Sequence, residues 1–308
     1  MAIRIGVDFG GTKIEAAALD ADGRFLVRLR VPNPGSYDAA LLAVCALIAR
    51  VEAEVGRTGP VGIGLPGSPS PRTGLMRNAN SVWLNGRPFR QDLEQALGRP
   101  VRLANDANCL AVSEAEDGAA AGRRVVLGVI IGTGFGGGLV VDGRLVEGAN
   151  GIGGEIGHMP LPWATAADSP SVDCWCGRHG CLETWVSGTG LGRDFQAHTG
   201  RILNGREVVE AARRGLPEAI AALDRYVDRL GRGLAAVANV VDPDVFVFGG
   251  GMSNVGELYD RLPEAIGRQV FCDGWSGLLV PARWGDSSGV RGAARLWPLP
   301  TDNAPPAT

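Results

Sequence analysis

The chain has 308 residues, 45% hydrophobic and 20% charged, with 30 Lys and Arg against 33 Asp and Glu. That length suits about two domains with cores of their own, and the net charge of −3 argues against nucleic acid or an anionic membrane as the main partner. Glycine stands out at 47 residues, with no Gly-X-Y period, which excludes collagen and implies many tight turns or close backbone approaches.

Met1-Ala2-Ile3-Arg4 leads straight into a strand-like run with no basic region, apolar stretch or cleavage site, so a cytoplasmic location is expected. Ile3–Val7 reads as a strand ending in Asp8-Phe9-Gly10-Gly11-Thr12. Lys13–Leu19 and Phe25–Val31 flank Asp22-Gly23, a hairpin signal. Tyr37–Val55 carries apolar residues at helical spacing. Val61–Leu65 is a buried strand closed by Pro66-Gly67, and Val101–Ala104 another, passing through Asn105-Asp106 into a helix.

The opening pattern then recurs. Val125–Ile131 is a strand, Gly132-Thr133-Gly134-Phe135-Gly136-Gly137 a glycine turn, Gly138–Val141 a strand, and Asp142-Gly143 a second Asp-Gly hairpin before Arg144–Glu147. Gly10 aligns with Gly132, and Asp22-Gly23 with Asp142-Gly143, at offsets of 122 and 120 residues. This is the mark of a duplicated hairpin unit, one copy opening each half of an α/β chain, and two such halves are expected to face each other across a cleft. The boundary is expected near Asp117–Gly122, giving one domain of 1–117 plus 290–308 and another of 118–289. Pro160–Asp173 reads as a loop, Val245–Phe248 as a buried strand closed by Gly249-Gly250-Gly251, Val255–Gln269 and Gly289–Trp297 as helices, and Thr301–Thr308 as a frayed tail.

Three glycine turns suit phosphate or nucleotide cradles. At Asp8–Lys13 the glycines let backbone N–H groups approach oxygens, Thr12 adds a hydroxyl, Lys13 a charge, and Asp8 a carboxylate able to hold a magnesium-bound water. An ordinary hairpin explains the same residues equally well, and the spacing is not that of a Walker A loop. Gly132-x-Gly134-x-x-Gly137 matches a dinucleotide fingerprint literally, but a strand follows it, where that motif must open a helix. Gly249-Gly250-Gly251 does precede a helix. Asn105-Asp106 reads as a helix cap or as a carboxylate base aimed at a substrate hydroxyl.

Cys174-x-Cys176-x4-Cys181 holds three of the six cysteines within eight residues. Three thiolates and one imidazole complete a closed structural zinc site. His158, at the end of Gly153-Gly154-Glu155-Ile156-Gly157-His158, and His179, inside the knuckle, both compete for the fourth position.

In this order and spacing the motifs resemble the ROK family of bacterial sugar kinases, with an actin-like, ribonuclease-H-like ATPase fold. The resemblance runs from Ile5 to about Trp297. It implies Asp106 as catalytic base, with Gly67, Asn80, Asn105, Glu155, His158 and Glu183 as sugar ligands. Asp8, Gly10, Gly11, Thr12, Lys13, Gly132, Thr133, Gly134 and Gly249-Gly250-Gly251 would bind ATP with Mg2+. It further implies a structural Zn2+ on His158, Cys174, Cys176 and Cys181, and a homodimer.

Asn78–Gly86 and Gly285–Gly289 look most like the fructokinases that also accept mannose. Fructose is therefore the expected acceptor, converted to fructose 6-phosphate, with mannose or glucose weaker. N-acetylglucosamine is expected to be poorest, on the argument that Trp83 crowds an N-acetyl group. The ligand positions carry no Arg or Lys, so the acceptor is expected to be unphosphorylated. The family's sugar-responsive regulators carry a helix-turn-helix ahead of the kinase-like part. Here the first hairpin begins at residue 3, so an enzyme is expected and neither nucleic acid nor membrane is a partner.

Overall fold

The computed structural model describes residues 2–298, so the expected tail at 301–308 lies outside the described residues. The chain divides into two compact units: Met1–Ser113 with Glu147–Gly153 and the segment from Asp286, and Glu114–Val146 with Gly154–Gly285. The division differs from the expected one in three ways. It falls inside a helix, the short segment Glu147–Gly153 goes with the first unit, and the returning segment begins at Asp286 rather than at 290.

The first unit opens with β1 (Arg4–Phe9), β2 (Lys13–Leu19) and β3 (Phe25–Pro32), followed by α1 (Tyr37–Val55) and β4 (Val61–Leu65). A small hairpin, β5 (Ser68–Pro69) and β6 (Met76–Arg77), precedes α2 (Phe89–Leu97), β7 (Val101–Asn105) and α3 (Asp106–Asp117). The sheet order is β3-β2-β1-β4-β7, with the first three strands antiparallel and β1, β4 and β7 parallel. Alternating burial along β3 shows one covered and one wet face. On α1, Ala40, Val44, Leu47, Ile48 and Val51 are buried at helical spacing.

The second unit repeats the plan. It contains β8 (Val125–Ile131), β9 (Phe135–Val141), β10 (Arg144–Leu145), α4 (Glu183–Val186), α5 (Gly188–Thr199), α6 (Gly205–Arg213), α7 (Pro217–Val241), β11 (Val245–Gly249), α8 (Gly256–Gly267) and β12 (Leu278–Pro281). Its order, β10-β9-β8-β11-β12, reproduces the first sheet strand for strand and direction for direction. The strand after the second glycine turn begins at Phe135 rather than Gly138, so Gly136, Gly137 and Gly138 are rungs of the ladder.

The last helix, α9 (Ser288–Arg295), belongs to the first unit. It lies on the sheet where no side chain stands in its way. A Cβ on Gly6 would come 2.0 Å from the Val290 carbonyl oxygen, and one on Gly62 1.9 Å from that of Ala293. Both approaches are far inside contact distance, so a methyl at either position displaces the helix.

In the second unit α7 is the central packing element. Leu230 and Leu234 join Phe195, Phe246 and Phe248 in the core, and Tyr226 is buried with its hydroxyl donating to the Val186 carbonyl at 2.8 Å. The same helix carries Arg229 and Arg232 inward. Arg229 donates to Asp168 at 2.8 Å and Asp194 at 2.6 Å, and Arg232 bonds both oxygens of Asp168 at 3.1 and 3.2 Å. These pairs fasten the Pro160–Asp173 loop, which leads into the cysteine knuckle. Among the described residues no helix is long and apolar enough to cross a membrane.

Candidate active site

In the first unit the Gly10–Lys13 turn is closed by Gly10 N–H donating to the Lys13 carbonyl at 3.0 Å. Asn33, just past β3, ties it down from both sides. Its backbone N–H donates to the Thr12 carbonyl at 2.9 Å and its side-chain amide to the Gly10 carbonyl at 2.7 Å. Gly11, Thr12 and Lys13 remain exposed at the tip. Asp8 sits beneath, near the end of β1. Burial pushes its carboxyl up to about 6, and the neighbouring charges of Glu15 and Asp106 push the same way.

Asn105 ends β7 and Asp106 opens α3, so both sit where the strand direction delivers them to the sheet's carboxyl edge. The Ala107 N–H is shared by Asn105 Oδ1 and Asp106 Oδ1, each at 2.8 Å. The cap is therefore real, and Asp106 remains exposed above it. Gly67, at φ +86°, lies against the Asn80 loop. A Cβ there would meet the Arg77 carbonyl oxygen at 2.5 Å and the Ala79 nitrogen at 2.7 Å. Asn85 clamps Ala79 through both its backbone groups, at 2.9 and 3.0 Å, which fixes the neighbouring Asn80. Asp8, Lys13, Gly67, Asn80, Asn105 and Asp106 thus all belong to one unit.

The Trp83 ring lies 6.0 Å from Phe9, edge to face at 64°, half-buried against the first unit's core.

In the second unit the two remaining glycine turns come together because β8 and β11 are parallel neighbours. Gly132-Thr133-Gly134 follows β8 and Gly250-Gly251 follows β11. Gly250, at φ +82°, passes so close that a Cβ would sit 2.5 Å from the Ile131 carbonyl oxygen. The start of α5 braces the first turn, with Gly188 N–H donating to the Gly132 carbonyl at 2.7 Å and the Thr189 hydroxyl to the Thr133 carbonyl at 2.9 Å.

The Glu155 loop is laid on β9 backbone against backbone. A Cβ on Gly157 would meet the Phe135 carbonyl oxygen at 2.1 Å, which holds Glu155 and His158 beside the turn. Glu183, opening α4, bridges two elements. Its Oε2 accepts from Phe135 N–H at 3.1 Å and its Oε1 from the Trp175 indole N–H at 2.7 Å.

His158, Cys174, Cys176 and Cys181 place their donor atoms within 4.8 Å of one another. Zn–S bonds of about 2.3 Å and Zn–N bonds of about 2.0 Å, at tetrahedral angles, require S···S of about 3.8 Å and N···S of about 3.5 Å. Cys176 Sγ to Cys181 Sγ is 3.7 Å, and His158 Nδ1 to Cys174 Sγ is 3.6 Å. The donor set fits zinc. His179 turns away, its Nδ1 2.6 Å from Asp173 Oδ1, so of the two histidines it is His158 that joins the thiols.

Residues 4–299 match the ROK family model. The chain belongs to the ROK family. It is 41% identical to an N-acetyl-D-glucosamine kinase of Pectobacterium atrosepticum, over 94% of this chain and 97% of that one. Among solved structures it is similar to a ROK hexokinase from Thermus thermophilus, at TM-score 0.84 and 36% identity over 95% of this chain and 97% of the other. It is also similar to a ROK family glucokinase from Streptomyces griseus solved with glucose and AMPPNP, at TM-score 0.76 and 31% identity over 96% and 98%. The fold is the actin-like one of these enzymes, and the chain is an ATP-dependent sugar kinase of this family.

Proposed function

We propose that this kinase transfers the γ-phosphoryl group of ATP to N-acetyl-D-glucosamine, in place of the fructose expected from the Asn78–Gly86 stretch. The full-length likeness to N-acetyl-D-glucosamine kinases carries this choice.

Transition states of phosphoryl transfer are loose, so the protein's work is positioning and charge stabilisation with one base for the acceptor proton. In this reading Asp106 takes the proton of the sugar hydroxyl. Asn80, Asn105, Glu155, His158 Nε2 and Glu183 bind the other hydroxyls, with Gly67 leaving room beside Asn80. The turns at Gly10–Lys13, Gly132–Gly134 and Gly249–Gly251 present backbone N–H groups to the nucleotide, and Thr12 and Lys13 add a hydroxyl and a charge. Magnesium on the phosphates would neutralise developing charge, with Asp8 as the carboxylate that holds one of its waters. Zinc would act as structure alone, because His158 and the three thiolates leave no ligand position open. A homodimer and a cytoplasmic location belong to the same reading, tested by light scattering and fractionation.

An ADP-coupled assay across hexoses and N-acetylhexosamines tests the acceptor. We expect kcat/KM for N-acetylglucosamine to exceed that for fructose by at least tenfold. The reverse order would restore the fructokinase reading.

A further inference from the structure

We propose that Trp175, in the cysteine knuckle, is a positioning residue for the acceptor sugar, acting by aiming Glu183. This rests on the reading of Glu183 as a sugar ligand.

Trp175 lies between two metal ligands, Cys174 and Cys176, yet its side chain is 60% exposed, so burial cannot account for it. Its ring meets His158 edge to face, with centroids 5.1 Å apart at 79°. Its indole N–H donates to Glu183 Oε1 at 2.7 Å, a short bond to a carboxyl oxygen. The second oxygen of Glu183 is held by Phe135 N–H. With one donor on each oxygen the carboxylate plane is fixed, and each oxygen keeps a further acceptor direction for a hydroxyl.

A second contact from the knuckle reaches the same oxygen: Cys174 Sγ lies 3.9 Å from Oε1. The knuckle therefore reaches the acceptor site through the hydrogen bond from Trp175 to Glu183 as well as through His158.

Trp175→Phe keeps the ring against His158 and deletes only the donor. We expect unchanged zinc content, a sugar KM raised about tenfold, as for loss of a charged hydrogen bond, kcat within about threefold, and an unaltered KM for ATP. Trp175→His, which restores a ring N–H, should recover part of the sugar KM. Glu183→Ala, which removes the acceptor of the indole N–H, should itself raise the sugar KM, and adding Trp175→Phe to it should cost nothing more. A normal sugar KM in zinc-loaded Trp175→Phe would overturn the proposal, as would strictly multiplicative effects in the double variant. Loss of zinc together with KM would make Trp175 a structural residue and overturn it too. If Glu183→Ala left the sugar KM unchanged, the sugar-ligand reading of Glu183 would fall and take this proposal with it, while acceptor preference in the same assay would still stand or fall by itself.

Discussion

Asp8 on β1 stands directly opposite Glu15 on β2 in the antiparallel ladder, so two carboxylates share one face of the sheet. Glu15 is buried at 2% exposure and ion-paired to Arg28 and Arg30 of β3. Asp8 has no comparable ion pair in the first unit's described contacts, and burial holds its carboxyl at about 6, with Glu15 and Asp106 adding repulsion.

A raised carboxyl value means that the folded protein binds the Asp8 proton more tightly than the unfolded chain. Stability therefore falls as pH rises from about 3.8 to about 6, and the penalty persists above that window. Asp8→Asn removes the penalty. Its melting temperature should exceed that of the parent at pH 7.5, by clearly more than at pH 5, while ATP-dependent turnover drops. A melting difference independent of pH, measured by scanning fluorimetry in the absence of nucleotide and magnesium, would refute this.

Asp106→Asn keeps an oxygen for the Ala107 N–H, so the α3 cap survives. Turnover should fall by about 10²–10⁴, the usual range for loss of a general base. KM values and melting temperature should move little. Steady-state kinetics on the folded variant decide between a base and a mere cap, because a cap alone predicts near-normal kcat.

Cys176→Ala breaks the donor set of the knuckle. One zinc per chain should be found in the parent by elemental analysis and lost in the variant, with a lower melting temperature and weaker sugar binding together. Full activity in metal-free parent protein would remove zinc from the account.

Arg229→Met tests the buried pairs on α7. Asp168 would keep Arg232 and Asp194 would keep Arg225, so the loss should be about 3 kcal/mol, at the lower end for breaking a buried pair. Burial opposes ionisation of both carboxylates, but the Thr165 N–H, Arg229 and Arg232 at Asp168, and Arg225 and Arg229 at Asp194, hold them below the usual range. Their contribution is present above the unfolded carboxylate value of about 4 and is lost as pH falls through the lower folded values. Urea unfolding at pH 7 and pH 3 should therefore show the gap between parent and variant shrink at the lower pH.

Much of this was legible because it is local. Tyr37–Val55 and Val61–Leu65 read directly from periodicity and from turn residues at their ends, and the two Asp-Gly hairpins announced the duplication. Donor spacing in the knuckle was equally local. What the sequence did not carry depends on partners distant in the chain. β12 is a four-residue strand ending in proline with no buried residue, so it has no pattern of its own until β11 pairs with it. The direction of Trp83 is decided by Phe9, and that of Glu183 by Trp175 and Phe135. The inward turn of Arg229 and Arg232 on α7 likewise depends on Asp168 and Asp194, which lie far away in the chain.

The seating of α9 on Gly6 and Gly62 has a consequence for the order of synthesis. The first sheet leaves the ribosome early, yet the helix that covers it is encoded from Ser288 onward, more than 220 residues after Gly62. Through that interval the second unit, Glu114–Val146 with Gly154–Gly285, can complete itself from chain already made, whereas the older unit waits with an apolar sheet face uncovered. The half of the protein made first is thus the half finished last, and it is the one exposed to aggregation during translation.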